Sequence, residues 1–338
     1  METSKKPHIS VVLPVYTGMA YLRQSVESVL NQEVGDIDFE FLICDDCSKD
    51  DSYEYLKTLT DSRVKVFRNE TNKGLFPTLN FLIKKANTDL IHLWAQDDVM
   101  LANCLKETIA FHKEFPEVNF SFSRLQGIDA HGNLLKRPDT FENRVLSVED
   151  HAISSLLYGS IAGNIANVCI VKEACKNVGY FDESMIYVGD FKMWCVLSKD
   201  TPVGMNGNIL VNVRQHTGQL SRNLGASFYR LKENYEVYQC FLASLRPELR
   251  TKLETTIKWK IYPTYLNQYL FILKSKRFDL AKKYRKELKK YDNLISLIFK
   301  WIVIRLLRLF KFEQNFYEFR FYKKIRRIKK TKQNTSKS

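Results

Sequence analysis

Over its first hundred residues the chain repeats one hydropathy pattern: a short apolar run, a polar turn, then apolar positions at helical spacing. Residues 9–13 form an apolar run with Ser10 as its only polar member, and Leu22, Val26, Val29 and Leu30 follow at helical intervals. Further strand patterns fall at 39–44, 64–67 and 90–94. Helical stretches are expected at 48–59, opened by Ser48 and Asp51 in the manner of a capping box, and at 75–86. Strands alternating with helices at this spacing predict an α/β fold, with a mostly parallel central sheet covered by helices on both faces. Shorter strands at 118–123, 167–171 and 209–213 and a helix after Gly189 are expected next. From about residue 227 the pattern is helical with little Gly or Pro. These shifts divide the chain into an α/β domain at 1–226, a helical extension at 227–293, and a basic amphipathic helix with a polybasic tail at 294–338.

Composition narrows the function classes. The 338 residues are 45% apolar, enough for an ordinary core, which excludes disordered, collagenous and small disulfide-stapled proteins. Residues 1–8 are polar and charged with no apolar run, so no secretory signal is expected and the cytoplasm is the expected compartment. Seven scattered cysteines read as reduced thiols. Cys44 and Cys47 form a C-x-x-C without a second pair at zinc spacing. The net charge of +14 is concentrated at 294–338, where 13 Lys or Arg face two acids. A near-neutral body with a basic end points to an anionic surface as partner.

In open α/β sheets ligands lie beyond the carboxyl ends of the strands, where the strand order reverses. Three polar clusters fall at such ends: 14–17, Asp45 with Asp46, and Asp97 with Asp98. A hard cation, Mg²⁺ or Mn²⁺, needs only one or two protein carboxylates when substrate phosphates and waters complete its shell, which Asp97 and Asp98 could supply. A solvated acidic turn capping the next helix is the alternative for that pair. Asp45 and Asp46 suit acceptance of the imide N–H of a uracil ring, or a plain turn with a helix cap.

Together these pieces resemble the family 2 glycosyltransferases, of GT-A fold, over roughly residues 7–222. The resemblance rests on Val11-Val12-Leu13-Pro14-Val15-Tyr16, on residues 25–32, on Asp45-Asp46-Cys47-Ser48-Lys49-Asp50 and on Asn72-Lys73-Gly74. It continues through Ala95-Gln96-Asp97-Asp98, where the family has Asp-x-Asp-Asp, then Gly179-Tyr180-Phe181-Asp182-Glu183, Val188-Gly189-Asp190 and Arg214-Gln215-His216 through Ser221. Ala95 departs from the family pattern. The resemblance implies that Pro14, Tyr16, Asp45 and Asp46 hold the uracil and that Asp97 contacts the ribose. Asp98 would bind the metal, with His216 as a further ligand; Arg214 would pair with the diphosphate and Lys73 would assist. Asp190 would be the general base, an N-cap role being compatible with it. Trp94, Trp194 and Tyr187 are candidates to stack on a sugar or to pack in the core.

The activity so implied is metal-dependent, inverting transfer of a hexosyl or N-acetylhexosaminyl group. The donor is a nucleotide sugar, UDP-linked, and the acceptor a hydroxyl of a lipid-linked glycan in surface polysaccharide biosynthesis. Residues 294–312 are strongly apolar, yet Lys300, Arg305, Arg308 and Lys311 fall within a helical arc of roughly 140°. Charges this frequent argue against a membrane-crossing helix and for one lying in an anionic membrane surface, its cations reaching toward headgroups. The run 323–332 would add attraction, and the protein would be peripheral on the inner face of the cell membrane. The alternative is a non-catalytic, basic nucleic-acid-binding or scaffold protein using the same fold. The near-neutral body and the lack of any nucleic-acid-binding motif disfavour nucleic acid.

Overall fold

The computed structural model describes residues 8–33, 35–135, 141–219 and 226–318. The chain forms two compact units: Met1–His151 with Ser160–Arg222, and Ala152–Gly159 with Asn223–Ser338.

In the first unit the order is β1 (Ile9–Val15), α1 (Met19–Leu30), β2 (Phe39–Asp45), α2 (Ser52–Lys57), β3 (Val64–Arg68), α3 (Leu75–Lys85), β4 (Leu90–Leu93), β5 (Val99–Met100) and α4 (Cys104–Glu114). There follow β6 (Phe120–Ile128), β7 (Arg144–Leu146), α5 (Val148–Tyr158), whose second half falls in the other unit, β8 (Val168–Val171), α6 (Lys172–Asn177), α7 (Gly189–Leu197) and β9 (Val203–Arg214). One nine-stranded sheet runs β3-β2-β1-β4-β8-β6-β9-β5, with β7 on β9. The β3-β2-β1-β4 half is wholly parallel. Every residue of β1 and β2 is buried, as continuous apolar runs covered on both faces require. Their polar members are paired: Ser10 donates to Glu40, which also accepts from the Asn87 N–H and meets Lys65.

β2 lies on one side of β1 and β4 on the other, so the strand order reverses at β1. Beyond β4 the sheet is mixed, because β8 runs antiparallel to both β4 and β6. The expected helix at 48–59 shrinks to α2, and Ser48 does not cap it. Its hydroxyl instead accepts the Thr17 N–H at 2.9 Å, tying the end of β1 to the end of β2.

The second unit is helical: α8 (Ala226–Ala243), α9 (Pro247–Lys260), α10 (Tyr262–Lys274), α11 (Phe278–Tyr291), α12 (Leu294–Leu309) and α13 (Glu313–Tyr317). α10 packs against α9, α11 and α12. Tyr262 and Tyr265 in its first turn meet Tyr291 of α11, with ring centroids 4.7 and 5.2 Å from that ring, respectively. α12 buries Leu297 and Ile304, and Ile304 joins Trp259 and Tyr317 in a small apolar cluster. The compact unit that holds 227–293 therefore holds α12 as well. Among the described residues no helix is long and apolar enough to cross a membrane. The basic run 323–332 and Ser221 lie outside the described residues.

Candidate functional site

A cleft of about 430 Å³ opens where the strand order reverses, at the carboxyl ends of β1, β2 and β4. Pro14 and Tyr16 line it from β1, Asp46 from β2, Leu75 from α3, Ala95 to Asp97 from β4, and His216 and Gln219 from the segment after β9. Its rim depends on backbone groups satisfied in trans. The N–H groups entering α1 have no side-chain cap of their own; Gly18 donates to Ser52 Oγ at 3.0 Å and Met19 to Asp50 Oδ2 at 3.0 Å. Gln96 clasps Tyr16 from the opposite side, and a Cβ on Gly18 would stand 2.5 Å from the Gln96 amide, so this position has no room for a side chain. Ser25 of α1 accepts from Trp94 Nε1 and donates to the Ala95 carbonyl, fixing the β4 end.

The two carboxylates after β2 differ. Asp46 faces the cleft, but its oxygens already accept from Asn69 Nδ2 (2.7 Å), the Lys73 N–H (2.9 Å) and the Gly74 N–H (2.8 Å). Gly74, at φ +93°, supplies the left-handed backbone that turns its N–H toward Asp46. Asp45 is wholly buried. Its Oδ2 accepts the Ser48 N–H at 3.2 Å and lies 3.3 Å from Arg68 Nε, while Oδ1 has no hydrogen-bond partner among the described residues. That oxygen is itself buried, and Asp45 is not part of the cleft lining. Lys73 contributes through its backbone, and its exposed side chain is not part of the cleft lining.

At the β4 end the two carboxylates differ in placement. Asp97 lines the cleft, and its Oδ2 lies 2.9 Å from His216 Nε2. Asp98, assigned to the metal from sequence, is only 1% exposed. Its oxygens accept the Arg214 N–H (2.8 Å) and Asn164 Nδ2 (3.2 Å). Burial, with the neighbouring Asp97 charge, pushes its carboxyl up to about 7. Asp98 thus bonds the Arg214 backbone and Asn164 beneath the cleft, while Asp97 and His216 form a carboxylate–imidazole pair on its lining.

Arg214, expected at a diphosphate, is likewise buried, at 2% exposure. Its guanidinium donates to the carbonyls of Asp97 (2.9 Å), Asp129 and Ala130 (both 3.3 Å) and to Gln24 Oε1 (2.6 Å). It lies 4.5 Å from the Tyr21 ring centroid, and the His216 ring stands 4.9 Å from that same ring. With its donors so engaged, Arg214 ties the Asp97 loop to the 129–130 turn and to Gln24. Tyr21, Gln24 and Gln96 are functional neighbours that sequence reading did not single out; Tyr21 and Gln24 share one helix face three residues apart, which was the available signal.

Asp190 sits half-buried in the first turn of α7, after the N-cap Val188, with Oδ1 accepting the Phe191 N–H at 2.7 Å. It does not line the cleft. Its neighbour Gly189 packs on Phe76, which adjoins the cleft residue Leu75, so α3 links the two places. Asn80 of α3 extends that link, exchanging bonds with the Phe181 backbone. Trp94 and Trp194, candidates for sugar stacking, are fully buried.

Among the described residues no three His, Cys, Asp or Glu side chains gather as a metal cage. Asp97 and His216 still fit the smaller requirement of a divalent cation that takes its other ligands from a diphosphate and water. Five cysteines, Cys44, Cys47, Cys104, Cys169 and Cys175, are free, and all but Cys47 are buried.

A parallel half-sheet reversing at its first strand, with an acidic cleft at the reversal, is the arrangement of a GT-A fold. The chain carries a domain of glycosyl transferase family 2, matched over residues 10–165. It is 25% identical over 309 residues to an uncharacterized glycosyltransferase of Rickettsia felis, covering 86% of this chain and 47% of that protein. The chain thus spans less than half the length of the first curated relatives it matches. It is also 25% identical over 237 residues to the Escherichia coli UDP-Glc:alpha-D-GlcNAc-diphosphoundecaprenol beta-1,3-glucosyltransferase WfgD, covering 69% of this chain and 86% of that one. The Staphylococcus aureus TarS 1–349 structure in complex with UDP-GlcNAc superposes with a TM-score of 0.60 at 17% identity, covering 84% of this chain and 91% of that one. That likeness extends the shared fold past residue 165.

Proposed function

We propose that the protein transfers a hexosyl or N-acetylhexosaminyl group from a UDP-sugar to a hydroxyl of a lipid-linked glycan, with inversion, in the assembly of a surface polysaccharide. The observation that carries the reading is the pairing of Asp97 with His216 on the rim of a cleft at the strand-order reversal, which Asp46 also lines from the end of β2. The donor class is supported by WfgD, whose name specifies a UDP-sugar donor and a diphosphoundecaprenol-borne acceptor, and by the UDP-GlcNAc complex of TarS.

In this reading Asp46, on the cleft lining, accepts the uracil imide N–H with Asp45 adjacent beneath it, and Pro14 and Tyr16 form the wall against the base. Asp46 keeps the 72–74 turn in place. Asp97 and His216 would hold Mg²⁺ or Mn²⁺, which when bound offsets the charge that develops on the departing diphosphate. Asp190 takes the acceptor hydroxyl proton as the new bond forms. A base facing the side opposite the leaving group yields inversion by one direct displacement, the logic seen in inverting glycosidases. A lipid-borne acceptor places the reaction at the inner face of the cell membrane, with the C-terminal helix holding the protein there. Calorimetric titration of the full chain with UDP and a panel of UDP-sugars, with Mn²⁺ and again with chelator, tests the reading. Metal-dependent binding of UDP is expected; no binding of any member under either condition would reject it.

A further inference from the structure

The second unit exposes two helical faces of contrasting character, neither used by the cleft. On α12, Ile295, Ile298, Phe299, Ile302, Leu306 and Leu309 are all exposed, from 41% at Ile298 to 79% at Ile295. At 100° per residue they share an arc of about 100° along some 20 Å of helix, with no charge among them. Leu297 and Ile304, on the other side, are the residues that bury. The cations of this helix are turned away from the apolar arc. Lys300 is mostly covered and paired with Asp292, Arg308 is paired with Glu313, and Arg305 reaches Asn267 of α10 from the flank. The sequence expectation that these cations line the headgroup side therefore does not hold for Lys300 or Arg308.

The missing positive charge is on the preceding helix. α11 buries Ala281, Tyr284 and Leu288 and exposes Lys282, Lys283, Arg285, Lys286, Lys289 and Lys290; of its two acids, Asp279 in the first turn is exposed and Glu287 is half-buried against Lys290. Only Asp292 and Asn293 separate the two helices, so the last basic turn of α11 stands beside the start of the apolar face. An outward row of six large apolar side chains is more than single exposed residues on a soluble surface require. Apolar residues on one helix, with a dense cationic face on the helix joined to it, match the chemistry of a bilayer with anionic headgroups.

We propose that α12 docks in the plane of an anionic bilayer through its 295–309 face, and that α11, beside it, supplies the electrostatic attraction. This rests on the membrane placement proposed above but on residues remote in sequence from the cleft. The test uses the full chain, sedimented with vesicles of phosphatidylcholine alone or mixed with phosphatidylglycerol. Wild type should bind the anionic vesicles at least about tenfold more tightly than the neutral ones. Ile298→Asp with Ile302→Asp should weaken binding to both by about tenfold or more, since a charge enters the face that must leave water. Lys282→Gln, Lys283→Gln, Lys286→Gln and Lys289→Gln together should remove the preference for anionic lipid. Both positions on α12 face solvent, so these variants should keep the wild-type circular dichroism.

Vesicle binding unchanged in either variant overturns the proposal. So does a wild-type dimer that Ile298→Asp converts to monomer without vesicle binding, which would make a second copy the occupant, and so does binding to RNA in place of vesicles. UDP titration of the same samples separates the two readings: loss of nucleotide binding with vesicle binding intact rejects the donor site and leaves the docking face standing.

Discussion

Gln96 grips the backbone of Tyr16 at both ends: its Oε1 accepts the Tyr16 N–H at 2.8 Å, and its Nε2 donates to the Tyr16 carbonyl at 3.1 Å. The clasp joins the ends of β1 and β4 across the cleft, eighty residues apart in the chain. In the Ala95-Gln96-Asp97-Asp98 stretch, the position between motif residues thus carries a structural duty that Ala95 does not.

Gln96→Ala should remove two hydrogen bonds, each contributing about 1 kcal/mol. A drop in unfolding free energy of about 1–2 kcal/mol, with UDP affinity lowered in parallel, is expected from denaturant titration and calorimetry. Gln96→Glu should be worse for the cleft, because an acceptor would then face the Tyr16 carbonyl. Equal affinity in Gln96→Glu and wild type would show that the clasp does not shape the site.

Arg214 separates a phosphate-binding role from a holding role. Four acceptors bond its guanidinium, and the Arg214 side chain itself is buried. Arg214→Ala should therefore destabilise the fold by about 2 kcal/mol or more, because several hydrogen bonds are lost and a cavity opens where the guanidinium packed. Thermal denaturation without nucleotide checks this. A variant as stable as wild type but deficient in UDP binding would restore Arg214 to the diphosphate.

Asp97→Asn and His216→Ala should each abolish the Mn²⁺-dependent part of UDP binding, while Asp98→Asn should retain it. Chelation should reduce wild type to the level of the first two. Retention of metal dependence in Asp97→Asn, together with its loss in Asp98→Asn, would return the metal to the buried carboxylate.

The parallel half of the sheet was legible because β1 and β2 are buried on both faces and so read as unbroken apolar runs. The strand ends that meet in the cleft were legible for the same reason. Roles within the acidic pairs were not. Asp97 and Asp98 are identical in type and adjacent, and only the approach of the Arg214 N–H and Asn164 makes one structural and leaves the other open. β5 and β7 were missed because they are two and three residues long and pair with a strand more than a hundred and about sixty residues away, respectively. The basic face of α11 was hidden by arithmetic over the whole body, where its cations were cancelled by acids elsewhere.

Asp190→Asn should keep UDP binding within about twofold of wild type and lower transfer by about 10²- to 10⁴-fold, the range typical of a lost general base. Single-turnover product formation with bound donor measures this. Turnover close to wild type would leave Asp190 a structural role at the start of α7, where it accepts the Phe191 N–H.

The buried titratable groups set an asymmetric pH dependence of stability. Burial pushes His92, His112 and His151 down to about 4, so the folded chain resists protons that these side chains accept when unfolded, from about pH 6.5 downward. Their contribution is complete above pH 6.5 and is lost as pH falls toward 4. Asp98 acts in the opposite sense: pushed up to about 7, it contributes fully below its ordinary carboxylate range and less as pH rises through 7. Between 4 and 6.5 three imidazoles oppose one carboxyl, so stability should fall on acidification. Above 6.5 the imidazoles no longer change, and Asp98 alone should give a shallow decline toward about pH 8. Denaturant titrations across that range should show both limbs in wild type and only the acid limb in Asp98→Asn. An alkaline decline that persists in Asp98→Asn would place its source in another group and remove the charge at Asp98 as a cost to the fold.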